Sequence, residues 1–207
     1  MAEKETTRLE AFSDGVFAIA LTLLVLELKV PDGELLPGLL REWPEFLSFA
    51  LSFLTVLIMW TNHHGSLHHV VRVDGRLLFA NGFLLLFVTF IPFPTAVLGT
   101  HLDGDAARVA AAFYAGTFVA INFAWLGFWR AIVRNRAHLA PKLTDHEVRN
   151  GSRSLAFGLV AYVAATGLAW VNAYAGIGLC MVLAAFWTYE AMRHHGEDHE
   201  HADGGSA

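Results

Sequence analysis

Six apolar runs, each long enough to cross a bilayer, alternate with short polar segments along the chain. A spanning helix needs about 20 mostly apolar residues. The runs that meet this are Leu9–Val30, Pro44–Thr61, Arg76–Leu98, Ala106–Ile132, Ser154–Val171 and Ala175–Met192. The pattern predicts an all-α, polytopic membrane protein with six transmembrane helices. The last two runs share one apolar stretch, divided by Trp170-Val-Asn-Ala-Tyr-Ala-Gly-Ile-Gly. Asn172, Gly176 and Gly178 supply turn chemistry there, and Trp170 and Tyr174 suit headgroup depth. Pro92 and Pro94, in the segment FIPFPT, are expected to kink or end the third helix.

Lysine and arginine placement orients these spans. With the N terminus inside, the inner segments hold eleven of them: Lys4, Arg8, Arg72, Arg76, Arg130, Arg134, Arg136, Lys142, Arg149, Arg153 and Arg193. The outer segments hold three: Lys29, Arg41 and Arg108. Such a bias marks the cytoplasmic side, so both termini are expected in the cytoplasm and the chain in the cell (plasma or inner) membrane. The opening MAEKETT is as acidic as it is basic and no small-residue cleavage site follows the first apolar run, so that run is read as a retained span. Residues 1–193 read as one six-span membrane unit. The tail 194–207, HHGEDHEHADGGSA, reads as disordered and His-rich. With 55% hydrophobic and 16% charged residues, the chain departs from soluble domains, in which about 25% are charged. The net charge of −5 comes with no basic stripe, so nucleic acid is not an expected partner. The single cysteine, Cys180, excludes an intrachain disulfide and a thiolate zinc site.

The first span, RLEAFSDGVFAIALTLLVLEL, carries a carboxylate into an apolar helix. On a helical wheel with Ile19 at zero, Leu23 falls at about +40°, Leu26 at about −20°, Thr22 at about −60°, Gly15 at about −40° and Phe12 at about +20°. These form one seam. Asp14 falls at about −140° and Ser13 at about +120°. A charge at membrane depth costs several kcal/mol unless it is paired and faces protein or water. Asp14 is therefore expected to face neighbouring helices, with Ser13 beside it, while the apolar seam is left for another task. The alternative is that Ser13 or Asp14 caps a helix starting here. Partners for the carboxylate exist in the next two spans. Trp60 and His63 share a helix face three residues apart, and Asn81 is a buried-type amide in the third span. With Arg8, Ser13 and Asp14 they read as one polar layer near the inner leaflet.

The motif R-x-x-x-F-S-D at Arg8, Phe12, Ser13 and Asp14, followed by G-V-F-A-I-A-L-T-L-L-V-L, resembles the signature of the lysosomal potassium channel family, transmembrane protein 175, and its prokaryotic homologues. W-x-x-H at Trp60 and His63 and L-F-A-N at Asn81 are similar to that family's second and third helices. The resemblance covers the first three spans and implies a potassium-conducting channel. It implies a homotetramer with the first helix of each subunit lining the pore. It makes Ile19, Leu23 and Leu26 rings of a hydrophobic constriction, with Thr22 as the ion-selectivity position. It makes Arg8, Phe12, Ser13, Asp14, Trp60, His63 and Asn81 the network that supports the pore helix. His64 beside His63 leaves open which of the two joins that network. The permeant species would be K+, the surroundings membrane lipids, and no cofactor or catalytic residue is implied.

Glu27, at about +80° on the wheel, is either an exposed rim charge or a carboxylate ring that concentrates cations at the outer mouth. No carbonyl filter of the T-V-G-Y-G kind occurs, and no span has the repeated arginines of a voltage sensor. A leak-like current of modest selectivity is expected. Two other readings compete. His64, His68 and His69 resemble a histidine box of membrane di-iron oxidases and desaturases. Asp14 and His63 would serve a proton-coupled transporter as a relay.

Overall fold

The computed structural model describes the backbone of residues 2–203 and the side chains of residues 5–190, and the 194–207 tail lies outside the described side chains. Among the described residues every regular element is helical. They are α1 (Ala2–Leu24) with a 3₁₀ turn (Val25–Glu27), α2 (Leu35–Arg41), α3 (Trp43–His68), α4 (Gly75–Phe90), α5 (Pro92–His101), α6 (Ala107–Arg134), α7 (Arg136–Leu139), α8 (Asp145–Val171) and α9 (Ala173–Asp203). Six helical segments are long and apolar enough to cross a membrane, at Glu5–Glu27, Trp43–His68, Gly75–His101, Ala107–Arg134, Asp145–Val171 and Ala173–Glu190. They correspond one to one with the six runs of the sequence.

The ends differ, each for a local reason. The second span continues past Thr61 to His68, because His63 and Leu67, one helical turn apart, are both buried and hold the polar run NHHGSLH against the bundle. The fifth span starts nine residues before Ser154. Its first turn is closed by a capping box, in which Glu147 N donates to Thr144 Oγ1 (3.3 Å) and Thr144 N donates to Glu147 Oε2 (2.7 Å). The first span stops being α-helical at Leu24 and tightens to one 3₁₀ turn. A 3₁₀ turn advances about 120° per residue, so Leu26 is rotated by about 40° from its place on the wheel and stays close to Leu23.

Two breaks join spans without real loops. Helices α4 and α5 meet at Ile91, where Pro92 cannot donate and Ile91 N turns back to Val88 O at 3.2 Å. Helices α8 and α9 meet at Asn172 alone, whose backbone is extended. Asn172 Oδ1 accepts from Ala175 N at 3.1 Å and so caps α9. Gly176 and Gly178 are helical rather than part of the turn. At Gly176 the reason for glycine is space: a Cβ there would lie 2.6 Å from the Cβ of Ala169 on α8.

Helix α6 is the hub, packed against α4, α5, α8 and α9. Ala110, Ala111, Ala112 and Ala115 let neighbours approach it closely, and the buried Tyr114, Phe118 and Phe128 fill the remaining space. Lipid tails are as apolar as leucine, so this close packing and interhelical hydrogen bonds, rather than water exclusion, hold the bundle. Many large apolar side chains, such as Phe79, Leu86, Phe123, Val160 and Val182, are exposed on the single chain, which suits a surface that meets acyl chains or further subunits. A buried hydroxyl chain crosses the half of the bundle away from the N terminus. Tyr114 OH lies 2.9 Å from Ser52 Oγ and Ser52 Oγ lies 2.7 Å from Thr95 Oγ1, while Thr95 Oγ1 donates to Ile91 O at 2.8 Å. The chain thus ends on the backbone of the α4–α5 break.

Candidate pore helix and its polar anchor

Helix α1 has two unlike sides. Leu9, Ser13, Phe17, Ala20 and Leu24 recur at three- and four-residue steps and are buried against the bundle. Ile19, Leu23 and Leu26 are 57%, 39% and 74% exposed, and Phe12 and Thr22 are exposed with them. The apolar seam is therefore not used for packing within the chain. Thr22 Oγ1 donates to Ile19 O at 2.9 Å. Its hydrogen is spent on its own helix, and the lone pairs of its oxygen remain available. Glu27 is half-buried in the 3₁₀ turn that ends the helix.

The buried side of α1 is anchored by two hydrogen-bonded sets. In the first, His63 Nε2 lies 2.7 Å from Asn81 Oδ1, Asn81 Nδ2 donates to Ser13 Oγ at 3.0 Å, and Ser13 Oγ donates to Leu9 O at 2.8 Å. A carbonyl oxygen only accepts, so Nε2 of His63 carries the hydrogen. Its Nδ1 is buried without a partner, and the ring is packed between Phe17, Trp125 and Phe128 at centroid distances of 5.3, 6.2 and 5.1 Å. Three helices, α1, α3 and α4, are thereby tied through one fully buried amide.

In the second set Trp60 Nε1 donates to Asp14 Oδ1 at 2.8 Å, and the Trp60 ring stacks on His64 at 5.9 Å. His64 Nδ1 lies 2.9 Å from Glu10 Oε1. His63 thus stands in the first set by a hydrogen bond, and His64 stands beside the second by ring stacking and an ion pair. Glu10 was not singled out by sequence reasoning. The signal for it was its position one turn before Asp14, on the same face. Arg8 is exposed and has no hydrogen-bond or ion-pair partner among the described residues, and Phe12 is 63% exposed on the seam side. Neither is gathered into the two sets.

The ligand-type atoms of Glu10, Asp14 and His64 lie within 4.8 Å of one another, so among the described residues these three form a group that could hold a cation. Trp60 donates to Asp14, while His64 Nδ1 meets Glu10 as an ion pair and makes no hydrogen bond. The histidine-box reading fails on geometry. His64 turns to Glu10 on α1, His69 lies 3.9 Å from Glu147 on α8, and His68 only meets His69 edge to ring at 6.3 Å. The relay reading fares no better, since Asp14 and His63 hydrogen-bond to different partners and not to each other.

Comparison with known proteins agrees with this helix-by-helix picture. The family model of the endosomal/lysosomal potassium channel TMEM175 matches residues 8–92, which hold α1 from Arg8 onward and both polar sets. A potassium channel of Chamaesiphon minutus is 44% identical over 191 residues, covering 89% of this chain and 94% of that protein. One of Streptomyces collinus is 38% identical over 193 residues, covering 91% and 94%. The crystal structure of a lysosomal potassium-selective channel TMEM175 homolog from Chamaesiphon minutus matches with a TM-score of 0.83 at 42% identity, covering 91% of this chain and 98% of that one. With 38–44% identity to such relatives over about nine tenths of the chain, a shared six-helix fold and Ser13 and Asp14 of the R-x-x-x-F-S-D segment tied to Asn81 and Trp60, the chain belongs to the TMEM175 family of ion channels and is not an enzyme.

Proposed function

We propose that this chain is one subunit of a homotetrameric, potassium-conducting channel of modest selectivity, with four copies of α1 around a central axis. The observation that carries this reading is the two-sidedness of α1, with its seam exposed and its back tied to α3 and α4 by buried polar groups. Relatives named potassium channels support the choice of ion. One helix cannot enclose a conduit, whereas four related by a closed rotation can. Rings of Ile19, Leu23 and Leu26 then form a constriction that blocks ions by dewetting and conducts when widened. Thr22 supplies a ring of hydroxyl oxygens. Because each hydrogen is donated to Ile19 O, the oxygens face a passing cation as acceptors, which suits a partly dehydrated K+.

The channel sits in the cell membrane with both termini cytoplasmic, a placement supported by the eleven-to-three division of lysine and arginine between the two sides. Residues 1–193 form the channel unit. The direct test is reconstitution into liposomes with a potassium gradient. K+ flux above that of empty liposomes, a bi-ionic reversal potential favouring K+ over Na+, and a native mass of four chains are expected. Absence of flux sinks the reading.

The outer mouth gives a separate prediction. Four Glu27 carboxylates near the axis raise local cation concentration, and salt screens this beyond a Debye length of about 10 Å at 0.1 M. Glu27→Gln is expected to lower K+ conductance at 10 mM salt and leave it nearly unchanged at 1 M. Equal loss at both salts, measured in planar bilayers, removes that role.

A further inference from the structure

A second feature lies away from α1. A groove of about 530 Å³ runs between α6 and α8 near the end of the bundle that carries the N terminus. Leu126, Val133, Leu155 and Leu159 make its walls apolar, and Arg130 and Arg134 stand at its rim. The two arginines are one turn apart and so share a face of α6. Both are exposed, and neither has a hydrogen-bond or ion-pair partner among the described residues. Their neighbour Arg136 differs, being bound to Asp145 Oδ1 at 2.6 Å.

The rim is otherwise fixed. Trp129 Nε1 donates to Ser152 Oγ at 3.2 Å, and Ser152 Oγ donates to Val148 O at 2.8 Å, so the hydroxyl is used up. The indole lies so close to Gly151 that a Cβ there would come within 2.6 Å of it. This holds Trp129 at headgroup depth, where indoles favour the polar–apolar boundary. A second groove, of about 490 Å³, is lined by Phe87, Phe90, Val109, Phe113 and Trp170 and carries no charge. The pair of arginines is what sets the α6–α8 groove apart.

We propose that the α6–α8 groove is a binding site for an anionic phospholipid, with an acyl chain between the helices and the headgroup phosphate between Arg130 and Arg134. An apolar slot ending in two unpaired guanidiniums matches that ligand in both its parts. Guanidinium binds phosphate oxygens with two parallel donors, which ammonium does not. Basic pockets between spanning helices recognise anionic headgroups in this way.

The test is native mass spectrometry of the purified full chain in detergent, titrated with phosphatidylglycerol or phosphatidylcholine. The natural chain is expected to hold phosphatidylglycerol about tenfold more tightly. R130Q/R134Q is expected to remove that preference while keeping phosphatidylcholine binding. Ala156→Trp, which fills the slot from α8, is expected to weaken both lipids and serves if the double variant fails to fold. Equal affinity of the natural chain for the two lipids overturns the proposal. So does a preference that survives both variants, or displacement of phosphatidylglycerol by millimolar inorganic phosphate, which would make the site a phosphate site. None of these readouts depends on ion conduction.

Discussion

Replacing Ile19 by asparagine is expected to raise K+ flux severalfold and to bring the K+ and Na+ permeabilities closer together, with little change in thermal stability. Ile19 is 57% exposed and packs on no buried core within the chain, so its loss opens no cavity there. In a ring of four, an amide of similar size replaces an apolar constriction with groups that hydrate ions, and the dewetting barrier falls. Liposome flux and bi-ionic reversal potentials measure the first part, and melting in detergent measures the second. If flux and selectivity stay as in the natural chain, Ile19 is not at the constriction. If instead the melting temperature collapses with no gain in flux, the seam is a packing surface.

The reverse pattern is expected at Asn81. Asn81→Leu removes the acceptor for His63 Nε2 and the donor to Ser13 Oγ. It leaves a buried imidazole hydrogen without a partner and presses an apolar side chain against two polar ones. An unsatisfied buried group costs about 1–3 kcal/mol. Interhelical hydrogen bonds in membranes are worth about 0.6 kcal/mol on average, so a net loss of about 2–3 kcal/mol is expected. Thr89→Ala is the control, because its hydroxyl only returns to Leu86 O on its own exposed face. It should shift stability by no more than about 0.5 kcal/mol. Thermal unfolding followed by circular dichroism separates the two. A melting temperature for Asn81→Leu equal to that of the Thr89 control would mean the amide does not tie α1 to α3 and α4.

The two variants also show what was readable beforehand. Hydropathy alone locates all six spans, and the helical wheel separates Ile19, Leu23 and Leu26 from Ser13 and Asp14. Each relies on short-range periodicity, which one sequence carries in full. Helix ends were harder, because hydropathy does not register caps. The T-x-x-E of Thr144 and Glu147 begins α8 in a polar stretch that reads as loop. Gly176 looked like a turn residue, whereas a close approach across to Ala169 explains it. Partnerships between distant residues were the least legible. Glu10 with His64, and Tyr114 with Ser52 and Thr95, join positions 43 to 62 residues apart in the second case and depend on helix rotation and depth. Hydroxyls are also common in spanning helices, where most bond to their own backbone, as Thr55 does to Leu51 O.

Among the described residues, the hydrogen bonds that tie α1 to α3 and α4 involve Ser13 and Asp14, on its first half. Beyond them, Phe17, Ala20 and Leu24 are held by dispersion alone, and such contacts slide at small cost compared with breaking a buried hydrogen bond. The helix is mounted like a reed clamped at one end. A sideways push pivots about the Asn81–Ser13 joint, and displacement grows with distance from it, so Leu26 swings further than Leu23, and Leu23 further than Ile19.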